Sequence, residues 1–249
     1  MKGFFITGTD TGVGKTVVTA LLGILLRNEG HRITVLKPIE TGCTSRESYR
    51  ENSLEGDLVP EDGAFLKSVL GLDQELDDIT PFRFSLPLAP LAISQLSGKA
   101  INVESLRSIL RSAINKCHDA VSTVAGEILL IEGIGGLMVP ITERYFVYHM
   151  IEDSGLPAIL VAGNKLGAIN HTLLSIEFLS KRGIKTAGII INNASPDNND
   201  PSKETNPGII ERLSPVPVIG TVPFLPSVDI NSMSAISKVL KYDIICRSL

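Results

Sequence analysis

The sequence has no tryptophan, only 5% aromatic residues and three cysteines among its 249 residues. Cys43, Cys117 and Cys246 are far apart and odd in number, so they predict neither a disulfide framework nor a cysteine metal site. No apolar run reaches the roughly 20 residues of a membrane span, and the first residues lack the pattern of a secretory signal. A net charge of −4 without a basic tract argues against nucleic-acid binding. We therefore expect a cytoplasmic protein that binds neither membranes nor nucleic acids.

Short apolar runs alternate with helical patterns along the chain. Runs expected to form strands lie at 4–6, 33–36, 128–131, 158–161, 187–191 and 218–222. Apolar residues at helical spacing predict helices at 15–28, 61–70, 86–97, 102–124 and 169–181. The polar segments 42–60 and 192–207 are predicted to be loops. Short, continuously apolar strands separated by helices are typical of a mostly parallel sheet covered on both faces. The sequence therefore predicts an α/β fold in a single domain, residues 1–249.

The segment GTDTGVGKT, residues 8–16, follows the first predicted strand and precedes the first predicted helix. A glycine-rich turn in this position aims backbone N–H groups at one point, where the helix N-terminus adds positive potential, so it predicts a phosphate site. Lys15 can reach the outer phosphates of a nucleotide, and the Thr16 hydroxyl can ligate Mg²⁺. Thr9 stands where the standard loop has its first glycine, and the side chains of Thr9–Thr11 could face a second substrate. The predicted nucleotide contacts in this loop are Gly12, Val13, Gly14, Lys15, Thr16 and Val17.

Polar residues follow the predicted strands at the ends where α/β sheets bind ligands. Lys37 ends the second strand, where a cation would neutralise charge on a transferring phosphoryl group, although a lone lysine is ordinarily a solvated surface residue. Glu132 ends the third strand, and we expect it to hold Mg²⁺ directly or through water. Gly133 and Gly135 then let the backbone approach the nucleotide closely. Asp62 suits a helix-capping carboxylate as well as a metal partner, and the pattern alone does not choose between them.

Two further segments carry candidate binding groups. Asn192 and Asn193 follow the fifth predicted strand, where a side-chain amide suits the edge of a purine, although a turn that uses Asn is an equally fair interpretation. The segment KLGAINH, residues 165–171, precedes a helix, so its backbone N–H groups could bind an anion. None of the four histidines has a serine or cysteine partner at a recognisable spacing, so we predict no nucleophilic triad.

Four motifs together resemble the dethiobiotin synthetases: GTDTGVGKT at 8–16, KPIETG at 37–42, EGIGG at 132–136 and KLGAINH at 165–171. The phosphate loop with one extra residue is itself a mark of that family. The resemblance extends to about residue 224 and implies the fold of the P-loop-containing nucleotide hydrolases. It also implies ATP-dependent closure of a cyclic urea from 7,8-diaminononanoate and CO₂, through a carbamate and a carbamic-phosphoric anhydride. The implied cofactors are ATP and Mg²⁺, and the implied assembly is a homodimer with its active site at the interface.

The resemblance also implies roles for single positions of this chain. The implied catalytic residues are Lys37, Lys15 and Thr11. The implied metal partners are Thr16, Asp62 and Glu132. The implied adenine-binding position is Asn192, beside Asn193. The implied contacts of the diamine and of its carboxylate are Thr41, Leu166, Gly167, Ala168, Ile169 and Asn170. Because the loop before Asp62 varies in length within the family, Asp57 is its rival for the metal.

The chain departs from the family pattern at two places. Gly12 stands where some members carry an acidic residue, and residues 194–208 do not align clearly. A second hypothesis is a nucleotide-switched ATPase of the partition or cell-division type. Such proteins usually carry a lysine early in the loop, where this chain reads Gly8-Thr9-Asp10, and they act on DNA or membranes. A third hypothesis is a related ATP-dependent ligase, or an amidotransferase synthetase domain, that acts on another carboxylate.

Overall fold

The computed structural model describes residues 2–45, 58–119, 126–196 and 199–249. Its centre is a six-stranded sheet in which all neighbouring strands are parallel. In chain order these strands are β1 (Gly3–Gly8), β2 (Arg32–Leu36), β7 (Glu127–Gly136), β10 (Ala158–Gly163), β11 (Thr186–Asn192) and β12 (Val218–Val222). They lie side by side in the order β12-β11-β10-β1-β7-β2. The glycine-rich turn after β1 therefore lies near the middle of the carboxyl edge of the sheet.

Helices cover both faces of this sheet because successive strand residues point to opposite sides. In β1, Phe4 and Ile6 join one buried core and Phe5 joins another. The first face packs against α1 (Lys15–Asn28), α2 (Glu61–Leu70), α9 (Ile230–Ser237) and α10 (Tyr242–Cys246). The second face packs against α5 (Val103–Asp119), α6 (Val147–Ser154), α7 (Ala168–Lys181) and α8 (Ser202–Leu213). With both faces covered, the strands are apolar along nearly their whole length, as the sequence pattern predicts.

Short elements decorate the central sheet. Two further helices in the described ranges are α3 (Leu76–Ile79) and α4 (Pro90–Ser97). Three two-stranded pairs consist of β3 (Ile39–Thr41) with β6 (Phe82–Phe84), β4 (Thr44–Ser45) with β5 (Leu58–Val59), and β8 (Pro140–Thr142) with β9 (Tyr145–Phe146). Within the described ranges, every helix is too short or too polar to cross a bilayer.

The structure confirms the six predicted strands and the predicted helices at 15–28 and 61–70. The predicted helix at 86–97 begins only at Pro90, since proline suits the first helical position, where its missing N–H costs no hydrogen bond. The long helix predicted at 102–124 is α5, described to Asp119; residues 120–124 lie outside the described part of the chain.

The loop predictions were partly wrong. Residues 202–207 belong to α8 although the segment is rich in Asn, Asp, Pro and Ser. Burial of Asn206 and Ile210 supplies tertiary contacts that outweigh this local composition. Within the predicted loop 42–60, the two-residue strands β4 and β5 pair with each other. The C-terminal residues, for which the sequence predicted no element, form α9, which packs on α1, and α10, which packs on β11 and β12.

Candidate active site

The turn between β1 and α1 has the backbone geometry of a phosphate loop. Gly12 and Gly14 have left-handed φ angles of 71° and 84°, which glycine adopts without the steric cost borne by other residues. A Cβ on Gly14 would lie 2.1 Å from Asn192 Nδ2, so this position also requires glycine for space. Gly14 directly precedes α1, whose first N–H groups have no carbonyl partner inside the helix. These N–H groups are available to an anion in the loop.

The Lys15 side chain folds back over this loop. Its Nζ donates to the Asp10 carbonyl oxygen at 3.1 Å, and the residue is buried. Burial lowers the pKa of Lys15 to about 8, partly offset by the charge of Glu132. A bound phosphate would favour the charged ammonium, because an opposite charge nearby stabilises the ionised form. The loop therefore offers a phosphate its backbone N–H groups and the ammonium group of Lys15. The bound phosphate would in turn stabilise the charge of that lysine.

Lys37, Asp62 and Glu132 converge beside the loop from three separate elements. The parallel register of β2 and β7 pairs Leu36 with Ile131. Lys37, which follows β2, and Glu132, the next residue of β7, therefore lie side by side. Lys37 Nζ lies 2.6 Å from Glu132 Oε1 and 2.6 Å from Asp62 Oδ2. Asp62 reaches this point from the first turn of α2. The sheet register and one helix start thus assemble residues that are up to 95 positions apart in the chain.

Because this cluster is largely buried, the charges of its three side chains depend strongly on one another. Glu132 is 0% exposed and Lys37 is 4% exposed. Burial by itself would lower the pKa of Lys37, but the carboxylates of Glu132 and Asp62 outweigh it and raise that pKa above its ordinary value. Lys37 is therefore a permanent cation at neutral pH. Because Asp62 is about half exposed, the cluster opens to solvent on its side.

The residues around Glu132 fit a nucleotide-bound Mg²⁺. Thr16 Oγ1 donates to Glu132 Oε1 at 2.8 Å. Glu132 Oε2 is buried and has no hydrogen-bond partner within the described residues, and such an acceptor favours a cation or a donor beside it. The described side chains contain no group of three or more His, Cys, Asp or Glu that could hold a metal. A nucleotide-bound Mg²⁺ needs only one or two protein carboxylates because phosphates and waters complete its octahedron.

One cavity of about 330 Å³ unites most of the predicted site. The predicted residues that line it are Thr11, Gly12, Gly14, Lys15, Thr16, Val17, Lys37, Thr41, Asp62, Glu132, Gly133 and Gly135. Three further lining residues, Ile39, Glu40 and Ile134, were not singled out from the sequence. Val13 is buried behind the loop, and its carbonyl faces Asn192. Asp57, the rival of Asp62, lies outside the described residues.

Glu40 is the ionisable residue among these three lining residues that the sequence did not single out. Its buried carboxylate accepts hydrogen bonds from the backbone N–H groups of Asp62 at 2.9 Å and of Gly63 at 3.1 Å. Burial raises the pKa of Glu40 to about 7, opposed by the charge of Lys37 and by these N–H groups. Glu40, which lies in β3, therefore caps the N-terminus of α2 and fixes the turn that carries Asp62. The available signal was its place inside the KPIETG motif.

The two predicted adenine-side asparagines lie at the end of β11, outside the lining of that cavity. Asn192 is buried, and its Nδ2 donates to the Val13 carbonyl oxygen at 2.8 Å. This bond supports the phosphate loop from below. Asn193 is half-buried, and its Nδ2 donates to the Val222 carbonyl oxygen at 2.9 Å. The adenine role of the pair stays a prediction.

The predicted substrate segment, Leu166 to Asn170, opens α7 beside the phosphate loop. Gly167 takes a φ of 92° just before the helix, and Leu166 is 83% exposed. Lys165 Nζ lies 3.9 Å from Asp10 Oδ2, which links this segment to the loop. Leu166, Gly167 and Asn170 are exposed while Ala168 is buried, and the segment does not line the cavity of Lys37. The substrate role of this segment stays a prediction.

Comparisons with known proteins agree over nearly the whole chain. The model of a family described as an AAA domain matches residues 2–232. An ATP-dependent dethiobiotin synthetase of Thermodesulfovibrio yellowstonii is 39% identical over 230 residues, covering 90% of this chain and 89% of the relative. An ATP-dependent dethiobiotin synthetase of Bacillus subtilis is 40% identical over 228 residues, covering 92% of this chain and 90% of the relative.

Solved structures show the same fold at much lower identity. The cell-division ATPase MinD of Pyrococcus furiosus superposes with a TM-score of 0.52 and 18% identity, covering 95% of this chain and 97% of that one. This likeness confirms the predicted P-loop fold and carries no argument about activity, because unrelated functions share such folds. The curated relatives, by contrast, span about nine-tenths of both chains at twice that identity. The chain therefore belongs to the ATP-dependent dethiobiotin synthetase family.

Proposed function

We propose that residues 1–249 form one catalytic domain that converts 7,8-diaminononanoate and CO₂ into dethiobiotin at the expense of ATP. One amine attacks CO₂ and loses a proton, which gives a carbamate. A carbamate oxygen then takes the γ-phosphoryl group, with release of ADP. The second amine attacks the carbamoyl carbon of this mixed anhydride, forms the second C–N bond, loses a proton and expels phosphate. The phosphoryl group supplied by ATP replaces a poor leaving group with a good one.

The single observation that carries this proposal is the placement of Lys37. It lines the same cavity as Thr11 in the phosphate loop and Thr41 after β2. A fixed cation there would stabilise charge that develops as the phosphoryl group passes to the carbamate. Mg²⁺, when held by Thr16, Asp62 and Glu132, would neutralise phosphate charge in the same place.

The remaining assignments follow from position. Lys15 and the loop N–H groups would hold the outer phosphates. Thr11 and Thr41 would donate hydrogen bonds to, or accept them from, the diamine and its carbamate, since both residues line the cavity. The adenine would lie near Asn192 and Asn193, because a side-chain amide offers both a donor and an acceptor to the edge of a purine.

We further propose a homodimer in which the segment Leu166 to Asn170 holds the substrate carboxylate in the partner's site. Met138 and Leu174, which are 56% and 61% exposed, line a second cavity of about 550 Å³ together with Thr11. Leu166, in the segment itself, is 83% exposed. Exposed apolar side chains grouped in this way are typical of a protein–protein interface. A cytoplasmic location, expected from the cysteine pattern, completes the proposal.

The decisive experiment follows ADP release by the purified chain with ATP, Mg²⁺, bicarbonate and 7,8-diaminononanoate. We expect ADP and dethiobiotin to form in equal amounts, and ADP release to require the diamine. The matched control is the monoamine that lacks the 7-amino group, which can form a carbamate but cannot close the ring. ATP turnover that is absent, or that ignores the diamine, would remove the proposal.

Sedimentation with and without ATP separates this proposal from a nucleotide switch. The proposed enzyme is a dimer in both conditions, since the partner completes the substrate site. A chain that dimerises only when ATP is present would favour the switch hypothesis instead. Turnover with another carboxylate-bearing substrate, but not with the diamine, would favour the related-ligase hypothesis.

A further inference from the structure

We propose that Asn164 and Asn206 are positioning residues that hold the substrate-carboxylate segment, Leu166 to Asn170, in its working conformation. This inference rests on the proposed function of that segment. Asn206 comes from α8, within the region 194–208 for which the sequence offered no role. Asn164 directly follows β10. Neither residue lines the cavity of Lys37, so any effect on the reaction must act through the segment they hold.

The bonds of Asn206 converge on one turn. Its Nδ2 donates to Asn164 Oδ1 at 3.0 Å and to the Lys165 carbonyl oxygen at 3.0 Å. The same Lys165 carbonyl oxygen accepts the backbone N–H of Ala168 at 3.0 Å. The turn that starts α7 is therefore closed by its own backbone and braced by a side chain from α8. Gly167, with its left-handed φ, lies inside this turn.

Asn164 continues the chain of amides in the opposite direction. Its Nδ2 donates to Asn193 Oδ1 at 3.0 Å and to the Lys203 carbonyl oxygen at 2.9 Å. Its backbone N–H donates to the Asn192 carbonyl oxygen at 2.8 Å. The start of α7 is thus tied to the end of β11 and to the first turn of α8.

The side-chain hydrogen bonds of Asn164 and Asn206 are buried. Asn164 is 5% exposed and Asn206 is 2% exposed. A buried amide that loses a partner is costly, because water cannot replace the missing bond. Both donors of each side chain are used, so each amide has one satisfied orientation. An apolar contact would hold α8 against this turn at a lower desolvation cost. A directional hydrogen-bond network also fixes the path of the turn.

Asn206→Asp tests the proposal with almost no change in volume. The replacement puts a carboxylate oxygen where Nδ2 now donates to two acceptors. We expect KM for 7,8-diaminononanoate to rise roughly tenfold, as for a lost buried hydrogen bond, with KM for ATP and kcat nearly unchanged. The matched control is Asn231→Asp, the same chemical change at an exposed position of α9. This control should leave both KM values as they are.

A second substrate distinguishes positioning from general damage. In 2,3-diaminononane a methyl group replaces the carboxylate, so the proposed segment has nothing to hold. Asn206→Asp and the parent chain should therefore turn over this analogue with the same KM. An equal rise in KM for both diamines, or a rise in KM for ATP as large as that for the diamine, would overturn the proposal.

Thermal unfolding of the same preparations guards against misfolding. If Asn206→Asp does not fold, Asn206→Ala removes the donor without adding charge and should show the same KM split. Failure of both variants to fold would overturn the proposal, because the network would then support the whole fold and not one segment. Absence of diamine turnover in the parent chain would instead refute the proposed function itself.

Discussion

The two ends of the candidate site are held together by different chemistry. At the phosphate end, β2, β7 and α2 bring the charged residues Lys37, Glu132 and Asp62 together, with Lys37 Nζ 2.6 Å from each of the two carboxylates. At the amide end, β10, β11 and α8 are joined by neutral asparagines at 2.9–3.0 Å. A phosphoryl group in transfer needs compensating charge, which explains the ions. A segment that must only keep its shape needs directional bonds, and neutral amides provide them at a smaller desolvation cost.

The largest expected effect breaks the phosphate end. Lys37→Ala should abolish product formation yet leave measurable ATP binding, because Lys37 acts on developing charge while the loop backbone holds the bound nucleotide. The variant should also lose about 3–5 kcal/mol of stability, since buried Glu132 loses its ion partner. Turnover, calorimetry with ATP and urea unfolding on one preparation measure these quantities.

A compensated variant separates chemistry from stability. Lys37→Met combined with Glu132→Gln removes both buried charges, so most of the lost stability should return without any recovery of turnover. Equal losses of turnover and ATP affinity in Lys37→Ala would contradict the assignment of Lys37 to the transfer step.

The next effect tests the contact between the two ends, where Asn192 lies under the phosphate loop. Gly14→Ala would place a methyl group 2.1 Å from Asn192 Nδ2 and strain a φ of 84°. We expect ATP affinity to fall roughly ten- to hundredfold, in line with about 1–3 kcal/mol of local strain. Calorimetric titration with ATP measures it.

Gly12→Ala is the matched control for this loop. It has a similar left-handed φ of 71°, but a Cβ there would meet no described atom within 4 Å. Its cost is then the backbone term alone, about 1–2 kcal/mol. If Gly12→Ala weakened ATP binding as much as Gly14→Ala, the contact with Asn192 would not be the cause.

A smaller effect concerns Glu40, whose carboxylate accepts hydrogen bonds from the first N–H groups of α2. Glu40→Gln keeps one acceptor oxygen but loses the second, so α2 should be destabilised by about 1 kcal/mol, as for a lost helix cap. KM for ATP should rise a few-fold as Asp62 loses its fixed position. Chemical unfolding and steady-state kinetics measure the two changes.

Glu61→Gln serves as the control at the same helix start, because Glu61 is exposed in the first turn of α2. It removes a charge near the same N–H groups without removing the buried acceptor. A drop in stability equal to that of Glu40→Gln would mean that charge near α2, and not the two hydrogen bonds, sets the effect.

Sequence reasoning worked best where local pattern and chemistry coincide. Lys15 and Thr16 follow a glycine-rich turn whose geometry depends on neighbouring residues, so their place at the loop could be predicted. Lys37 and Glu132 each follow a short apolar run, and parallel pairing of the two runs brings them together, although β7 continues past Glu132 to Gly136. Asp62 was harder, because its helix start fits capping as well as metal binding, and the structure adds its contact with Lys37.

Sequence reasoning failed where a residue's meaning depends on distant contacts. Asn206 lies in a stretch whose composition indicates a loop, yet it is buried in a helix and bonded to residues about 40 positions away. Glu40 resembles any strand glutamate until its carboxylate is seen on the N–H groups of α2. No local pattern encodes either contact.

The alternation of strands and helices, the phosphate loop and the family can be predicted from the sequence, because they depend on periodicity and on short motifs. Which polar groups meet depends on the fold, since strand order and helix packing set the distances between remote parts of the chain. The fold brings the Glu40 carboxylate to the first N–H groups of α2, and it brings the Asn206 amide to the turn that starts α7. The physical reason is that hydrogen bonds and ion pairs act over a few ångströms, and only the folded chain brings these groups that close.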